Sequence, residues 1–311
     1  MNAAVTETLV VLSLLFAAGY FWPEKLGLPQ KSETRRVLSA VVPNLFFPLY
    51  VFFVLFTTPM SSAHTIVPLF GILLVFCGVL LSFLLYARQS LTRARRAALA
   101  LVAGWANITY LGLPLITSVY GPSVSPIPLL LHVFALNPIL FLAGPLFEHW
   151  AHSRSQLDAQ RLKAALREFV FQPVTVSAVL ALFWRMSGAP VPSALLKLGE
   201  LSGPAVTPIM TLTVGLALTR PQLRSVAQLL PALLIRLFAV PAIGLLLARA
   251  WIEDPILQKA LVLDLATPTM IIPVVIAEKY RLDAPQVAQG IAVGTLFSFF
   301  TLPLWIQWLS T

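Results

Sequence analysis

Hydrophobic residues fill this chain in long continuous stretches that short polar segments separate. Most stretches reach about 20 residues, the length that an α-helix needs to cross the ~30 Å hydrocarbon core of a bilayer. The apolar residues are continuous rather than alternating, which argues against a transmembrane β-barrel. The pattern predicts an all-α polytopic membrane protein with ten spans, at residues 3–22, 37–58, 65–87, 97–120, 125–147, 170–187, 200–219, 226–250, 257–278 and 287–309.

Two of the predicted spans are interrupted by small polar and helix-breaking residues. Helix 4 contains Asn107-Ile-Thr-Tyr-Leu-Gly-Leu-Pro114, and helix 9 contains Ala266-Thr-Pro-Thr-Met-Ile-Ile-Pro273. Proline removes a backbone donor and clashes with the preceding helical turn. The backbone groups released in this way cannot face lipid, so they must be buried in protein or line a wet cavity. Matched breaks in two halves of a membrane protein point to a transporter binding site.

An internal repeat is indicated by residues that match at an offset of 160. The signal rests mainly on the Pro and Tyr pairs, Pro48 with Pro208 and Tyr120 with Tyr280, and on a Gly-x-Pro match one residue out of step, between residues 27–29 and 188–190. Each half would hold five spans, and an odd number forces the two copies into opposite orientations, as in many alternating-access carriers. The predicted organisation is a first five-helix repeat at residues 1–150, a cytoplasmic connector at 151–169, and a second, inverted repeat at 170–311. Helices 4 and 9 would be broken and would cross.

Composition and charge agree with a membrane protein. Hydrophobic residues make up 58% of the chain and charged residues 11%, against roughly 25% charged in ordinary soluble domains. The net charge of +9 does not indicate nucleic-acid binding, because the cations lie in short runs between the spans without interleaved aromatic residues. Loops that follow odd-numbered helices hold 16 of the 21 Lys and Arg residues. The positive-inside rule therefore predicts that both termini are extracytoplasmic.

The breaks supply the candidate binding residues. Half-helix N-termini present free N–H groups and a positive dipole end, which suit a carboxylate. The candidates for substrate binding are Asn107, Thr109, Gly112, Pro114, Thr267, Pro268, Thr269 and Pro273. Residues that could line the site are Trp105, Asn44 and Asn137. The alternative is that the breaks are packing kinks whose backbone groups are satisfied by neighbouring Thr and Asn side chains.

Two charged residues lie well inside predicted spans, away from the ends: Asp264 in helix 9 and Arg236 in helix 8. Ionisable groups at membrane depth are costly and are functional candidates by default. Asp264 could bind a coupling cation, carry a proton or pair with Arg236, and Arg236 could instead contact an anionic substrate. The alternative is a buried ion pair that only fixes the packing.

Other chemistry is not indicated. His132 and His64 have no metal-ligand company, which predicts no metal site. The sequence holds no Gly-rich phosphate loop and no nucleophile and base with hydrolase spacing, so neither ATP-driven transport nor an enzyme with catalytic residues is expected.

The interrupted segments also carry a family resemblance. The Asn107–Pro114 segment, followed by Tyr120-Gly121, is similar to the Asn-x-x-x-x-Gly-x-Pro segment of the auxin efflux carrier family. The run from Ala266 to Tyr280, with its Ala-Glu-Lys-Tyr ending, resembles the proline-containing ninth helix of that family. Its members include the plant PIN proteins and bacterial permeases for small organic acids. With no large hydrophilic loop, the chain resembles the short bacterial members.

The resemblance implies that the two broken helices cross near the bilayer midplane and form the substrate site. It also implies that helices 1, 2, 6 and 7 form a scaffold that often dimerises, while the other six helices move. One position departs from the pattern: residue 109 is Thr where bacterial members commonly have Gly, so the substrate cannot be carried over from a relative.

These observations predict a secondary active transporter of a small organic anion, a carboxylate, in the bacterial inner membrane. No cofactor is expected, apart from a coupling ion that is H⁺ or Na⁺. The predicted partners are the anion, the bilayer and a second copy of the chain. The alternative functions are a ligand-binding sensor or subunit that does not transport, an intramembrane enzyme, and a channel.

Overall fold

A computed structural model describes residues 3–152, 158–218 and 223–310 and is nearly all helical. In the described ranges the α-helices are α1 (Ala3–Tyr20), α2 (Lys31–Val41), α3 (Phe47–Thr57), α4 (Ile66–Tyr86), α5 (Arg93–Gly104), α6 (Leu113–Tyr120), α7 (Pro126–Leu131), α8 (Asn137–Ala151), α9 (Ala159–Val170), α10 (Pro173–Ser187), α11 (Ser193–Ala217), α12 (Leu223–Leu234), α13 (Val240–Trp251), α14 (Pro255–Leu265), α15 (Ile272–Lys279) and α16 (Ala284–Ser310).

Within the described residues, five continuous helical segments are long and apolar enough to cross a membrane. They are Lys31–Thr57, Ser62–Tyr86, Pro122–Ala151, Val226–Trp251 and Ala284–Ser310. A sixth results if α9 and α10, which meet at a 60° bend, form one span. All five overlap predicted spans, and the chain is a helical membrane protein as expected. The number of ten spans and the inverted repeat stay predictions.

Four π-helical turns share one sequence feature, a proline two residues after the turn. The turns are Val42–Phe46, Ile108–Gly112, His132–Leu136 and Ile235–Ala239, and the prolines are Pro48, Pro114, Pro138 and Pro241. A proline has no N–H, and in an α-helix its ring meets the carbonyl four residues earlier. The wider π-turn accommodates both effects without ending the helix, and such turns are common at functional sites.

The interrupted helices lie in the protein interior. Residues 97–104 of α5 are buried, as are residues 260–270, which run from α14 into the second interruption. Large apolar side chains are exposed on other helices, including Leu80, Leu246 and Phe300. Apolar side chains on an outer face are suited to lipid, whereas broken backbone is confined to the interior, as the lack of water in the bilayer core requires.

A second packing group consists of α1, α3, α10 and α11. Helix α11 packs against both α1 and α3, and α3 also packs against α10. The backbones of α1 and α11 approach so closely at Gly19 and Gly215 that a Cβ on either glycine would overlap the opposite backbone. These helices correspond to predicted helices 1, 2, 6 and 7, which the family resemblance assigns to a scaffold.

The predicted connector at 151–169 is described only in part, because residues 153–157, with Arg154, lie outside the described residues. Its remaining part is mainly α9. The Asp158 carboxylate caps this helix by accepting from the N–H groups of Gln160 (2.9 Å) and Arg161 (3.3 Å). The cations Arg220 and Arg224 of a predicted cytoplasmic loop also fall where side chains are not described.

Candidate functional site: the junction of two interrupted helices and its cavity

The two interruptions contact each other through their backbones. The N–H of Asn107 donates to the carbonyl of Pro268 (2.6 Å), and the N–H of Met270 donates to the carbonyl of Trp105 (3.1 Å). Ala106 and Thr269 lie opposite each other in this short antiparallel bridge. Backbone groups that the breaks release from one helix are thus satisfied by the other. We refer to residues 105–107 and 266–271 as the junction.

Side-chain hydroxyl and amide groups satisfy further backbone atoms at the junction. Thr269 Oγ1 donates to the carbonyl of Val102 in α5 (2.7 Å), whereas Thr267 Oγ1 donates within its own segment to the carbonyl of Asp264 (2.7 Å). The Asn107 side chain caps the next helical segment by accepting from the N–H of Tyr110 (3.3 Å). Polar residues that the sequence singles out as binding candidates therefore also hold the backbone in place.

Arg236 joins the C-terminal ends of both interrupted helices. Its guanidinium donates to the carbonyl of Gly104 (3.0 Å), the last residue of α5, and to that of Leu265, the last residue of α14. Carbonyls at a helix C-terminus have no partner within the helix and carry the negative end of its dipole. One cation thereby stabilises two helix ends. Its hydrogen bonds go to backbone carbonyls rather than to Asp264.

Asp264 directly precedes Leu265 in α14 and lies close to Gly112, in the π-turn that follows the first interruption. Its side chain is 0% exposed, and neither carboxyl oxygen has a hydrogen-bond partner among the described residues. A Cβ added to Gly112 would overlap Asp264 Oδ1, so the glycine at this position allows the carboxyl group to pack directly against the backbone of the π-turn Ile108–Gly112.

A cavity of about 320 Å³ adjoins the junction. Its wall includes Tyr110 from the first interrupted helix and Ile271 and Ile272 from the second, at the start of α15. Among the other lining residues, Glu168 and Lys279 form an ion pair whose side chains are 49% and 44% exposed. The cavity therefore extends from an exposed ion pair to the half-buried N-terminus of α15.

His132, for which the sequence indicates no role, lies in the cavity wall. Its Nε2 lies 2.8 Å from Asn137 Nδ2, its ring packs edge-on against Phe47, and all three residues line the cavity. Residues five apart share one face of a π-helix, because that helix pairs each N–H with the carbonyl five residues earlier. The proline after Asn137 is the sequence signal that could have revealed this pairing.

The predicted site residues separate into two groups. Buried at the junction or beside it are Asn107, Thr109, Gly112, Pro114, Trp105, Thr267, Pro268, Thr269, Pro273, Asp264 and Arg236. Asn44 and Asn137 instead line the cavity. Trp105 donates from its indole N–H to the carbonyl of Leu136 (2.9 Å), which ties the junction to the helix that carries Asn137. The two groups meet where Tyr110 and Ile271 reach the cavity wall.

The apolar spans and the buried, mutually bonded breaks define an integral membrane protein of the broken-helix type. The chain matches the family model described as membrane transport protein over residues 4–306. The protein therefore belongs to this family, the auxin efflux carrier family, as the residues of the two interruptions indicate.

Several relatives align along nearly their whole length. An uncharacterised transporter of Methanothermobacter thermautotrophicus is 25% identical over 304 residues, covering 96% of this chain and 97% of its own. The uncharacterised transporter YfdV of Escherichia coli strain K12 is 25% identical over 307 residues, covering 96% and 94%. The uncharacterised transporter MJ1031 of Methanocaldococcus jannaschii is 20% identical, covering 96% and 97%. These relatives support a membrane transporter.

Proposed function

We propose that this protein is a secondary active transporter that moves a small organic anion by alternating access. The observation that carries the proposal is the cavity that ends on the N-terminus of α15 at the junction of the two interrupted helices. Anions bind at helix N-termini because the N–H groups point outward and the dipole end is positive. The substrate carboxylate would occupy this end of the cavity.

The size and wall of the cavity support a small ligand with more than one polar group. Its volume of about 320 Å³ is near the lower end of the range of about 300–1,000 Å³ that ligand pockets span. Besides apolar side chains, the wall carries His132, Asn137 and Thr213. His132 Nδ1 and Asn137 Oδ1 are buried without a hydrogen-bond partner among the described residues, so both are available to a ligand.

The direction of opening follows from the predicted orientation. Lys279 and Glu168, the exposed ion pair of the cavity wall, belong to segments that the cation distribution assigns to the cytoplasm. The conformation described would thus face inward. Movement of the interrupted helices against α1, α3, α10 and α11 would expose the junction to the other side. The inner-membrane location and a homodimer through these four helices belong to the same proposal.

The test compares two threonines of α11 that differ in their contact with the cavity. Thr213 lines it and Thr211 does not, yet both are buried and both donate to the carbonyl four residues earlier, Thr213 to Ile209 (2.7 Å) and Thr211 to Thr207 (2.9 Å). In proteoliposomes supplied with a panel of labelled mono- and dicarboxylates, Thr213→Leu should lower uptake at least tenfold. Thr211→Leu should retain it.

Three outcomes would contradict parts of this proposal. Equal uptake by both variants would exclude the cavity as the substrate site. Saturable binding of an anion without flux in wild-type vesicles would favour the non-transporting sensor. Single-channel currents far above carrier rates would favour a channel.

A further inference from the structure

The carboxyl group of Asp264 is buried in conditions that disfavour a negative charge. It is 0% exposed, and neither oxygen has a hydrogen-bond partner among the described residues. An ionised carboxylate moved from water into such surroundings loses its hydration and gains no compensating donor. The neutral, protonated carboxyl group avoids this penalty.

Among the described residues, no charged side chain hydrogen-bonds to this carboxyl group. The elements that pack against α14 are α6, α7, α13, α16, the 3₁₀ turn Pro122–Val124 and the π-turn Ile108–Gly112. Their titratable side chains are Tyr120, Arg249 and Tyr110, and α14 itself adds Lys259, but none of these hydrogen-bonds to Asp264. Arg236, which contacts the end of α14, donates from both Nη atoms to backbone carbonyls, and its Nε has no hydrogen-bond partner among the described residues.

A metal cation does not suit the position. Hard cations need several oxygen ligands, and in broken-helix carriers the C-terminal carbonyls of half-helices supply them. Here those carbonyls, at Gly104 and Leu265, already accept from the guanidinium of Arg236. Asp264 would be left to bind a cation with few additional oxygens.

We propose that Asp264 is a proton-carrying residue whose protonation is coupled to anion binding in the adjoining cavity. The coupling rests on the proposed transport function and follows from proximity. Asp264 packs against Gly112, two residues from Tyr110 in the cavity wall. A negative Asp264 would repel a carboxylate there, whereas the neutral acid would not. By linkage, anion binding then favours protonation to the same degree that protonation favours anion binding.

The transport step follows from this coupling. When the interrupted helices move and water reaches Asp264, the O–H bond breaks, the proton passes to water and the carboxylate keeps the electron pair. The anion leaves on the same side because its affinity falls. Protonation from the opposite side restores the binding state, so one proton and one anion move in the same direction.

Infrared spectroscopy tests the protonation state without any transport. Purified protein labelled with ¹³C-aspartate should show the C=O stretch of a protonated carboxylic acid at neutral pH. The other three aspartates have polar partners: Asp158 and Asp254 accept from helix N–H groups, and Asp283 pairs with Arg95 (2.7 Å). The band should vanish in Asp264→Asn and persist in Glu148→Gln, since Glu148 pairs with Arg161 (2.5 Å). Absence of the band in the wild type would overturn the proposal.

Binding measurements test the coupling. With a labelled carboxylate from the uptake panel, wild-type affinity should fall up to tenfold per pH unit above the pH at which the infrared band disappears. Asp264→Asn imitates the neutral acid and should bind at every pH without this dependence, while losing proton-driven accumulation. Accumulation driven by sodium, or an unchanged pH dependence in Asp264→Asn, would refute the coupling. If the band is present but no anion is transported, the proposed function fails and the protonation state stands.

Discussion

Similar helices follow the two interruptions, but the interruptions differ in length and in how the next helical segment is capped. Each is followed by an eight-residue helix with proline at its second position, α6 with Pro114 and α15 with Pro273. The first break leaves only residues 105–107 outside a helix, and the Asn107 side chain caps the segment that follows. The second leaves residues 266–271 outside a helix, and α15 starts at Ile272 without a side-chain cap from Ile271.

This difference bears on where the proposed anion would bind. The helix start after the first break is satisfied by the chain itself, whereas the start of α15 faces the cavity without a side-chain acceptor. The sequence offers binding candidates in both breaks and an acid, Asp264, in the second. Our proposals assign both the anion and the proton to the second break, with its helix N-terminus toward the anion and Asp264 as the proton carrier.

The largest effect is expected from removing the cation that the two breaks share. Arg236→Met leaves buried carbonyls at the ends of both α5 and α14 without their donor. We expect the free energy of unfolding to fall by about 1–3 kcal/mol for each buried carbonyl that loses its donor. Denaturant titration in detergent micelles measures it.

The matched control is Arg185→Met. Arg185 also donates to three carbonyls, those of Leu55, Phe56 and Thr58, but it is partly exposed and serves the end of α3 only. The loss in the free energy of unfolding for Arg185→Met should be clearly smaller than for Arg236→Met, because water can replace the donor. Equal losses for the two variants would mean that Arg236 has no special role in joining the breaks.

The next largest effect is expected from a change at Gly112, in the π-turn after the first break, which contacts Asp264 near the second break. Gly112→Ala would place a methyl group on Asp264 Oδ1, and such overpacking typically destabilises by about 1–3 kcal/mol. A double-mutant cycle with Asp264→Ala should recover most of this loss, because the two side chains contact each other directly. Gly244→Ala is the control, since a Cβ there meets only side-chain carbons, those of Leu74 at 3.0 Å and Phe70 at 3.8 Å. Additive losses at Gly112 and Asp264 would disprove the contact.

These contacts show which parts of the molecule the sequence could predict. Span positions and both breaks depend on local signals, namely the length of apolar runs and the prolines at 114, 268 and 273. The partners of the released carbonyls are not local, because Arg236 lies 132 residues from Gly104 and 29 from Leu265. The pairing of His132 with Asn137 depends on a π-turn, whose wider register a search for α-helical periodicity does not detect.

Asn107 allows the capping and binding roles to be separated. Asn107→Ala should lose about 1 kcal/mol of stability, the usual effect of removing an N-cap, whereas Asn107→Ser should keep most of it because a hydroxyl also caps. If the amide also contacts the anion, both variants should raise the KM for uptake. A normal KM in Asn107→Ser would restrict Asn107 to the capping role and leave anion binding to the second break.

The smallest expected effect on stability comes from two threonine hydroxyls of the second break. One hydrogen-bonds to α5 and the other hydrogen-bonds within its own segment. Thr269→Val removes the hydroxyl that bonds Val102 across the junction, and Thr267→Val removes one that bonds Asp264 in its own segment. A net hydrogen bond contributes about 1 kcal/mol, so each loss is modest, but the consequences differ. Hydrogen exchange at the Asn107 and Met270 amides, which form the bridge, should accelerate in Thr269→Val and stay unchanged in Thr267→Val. Acceleration in both variants would show that the second break is one cooperative unit, and that its local bonds hold the bridge as firmly as those reaching across to α5.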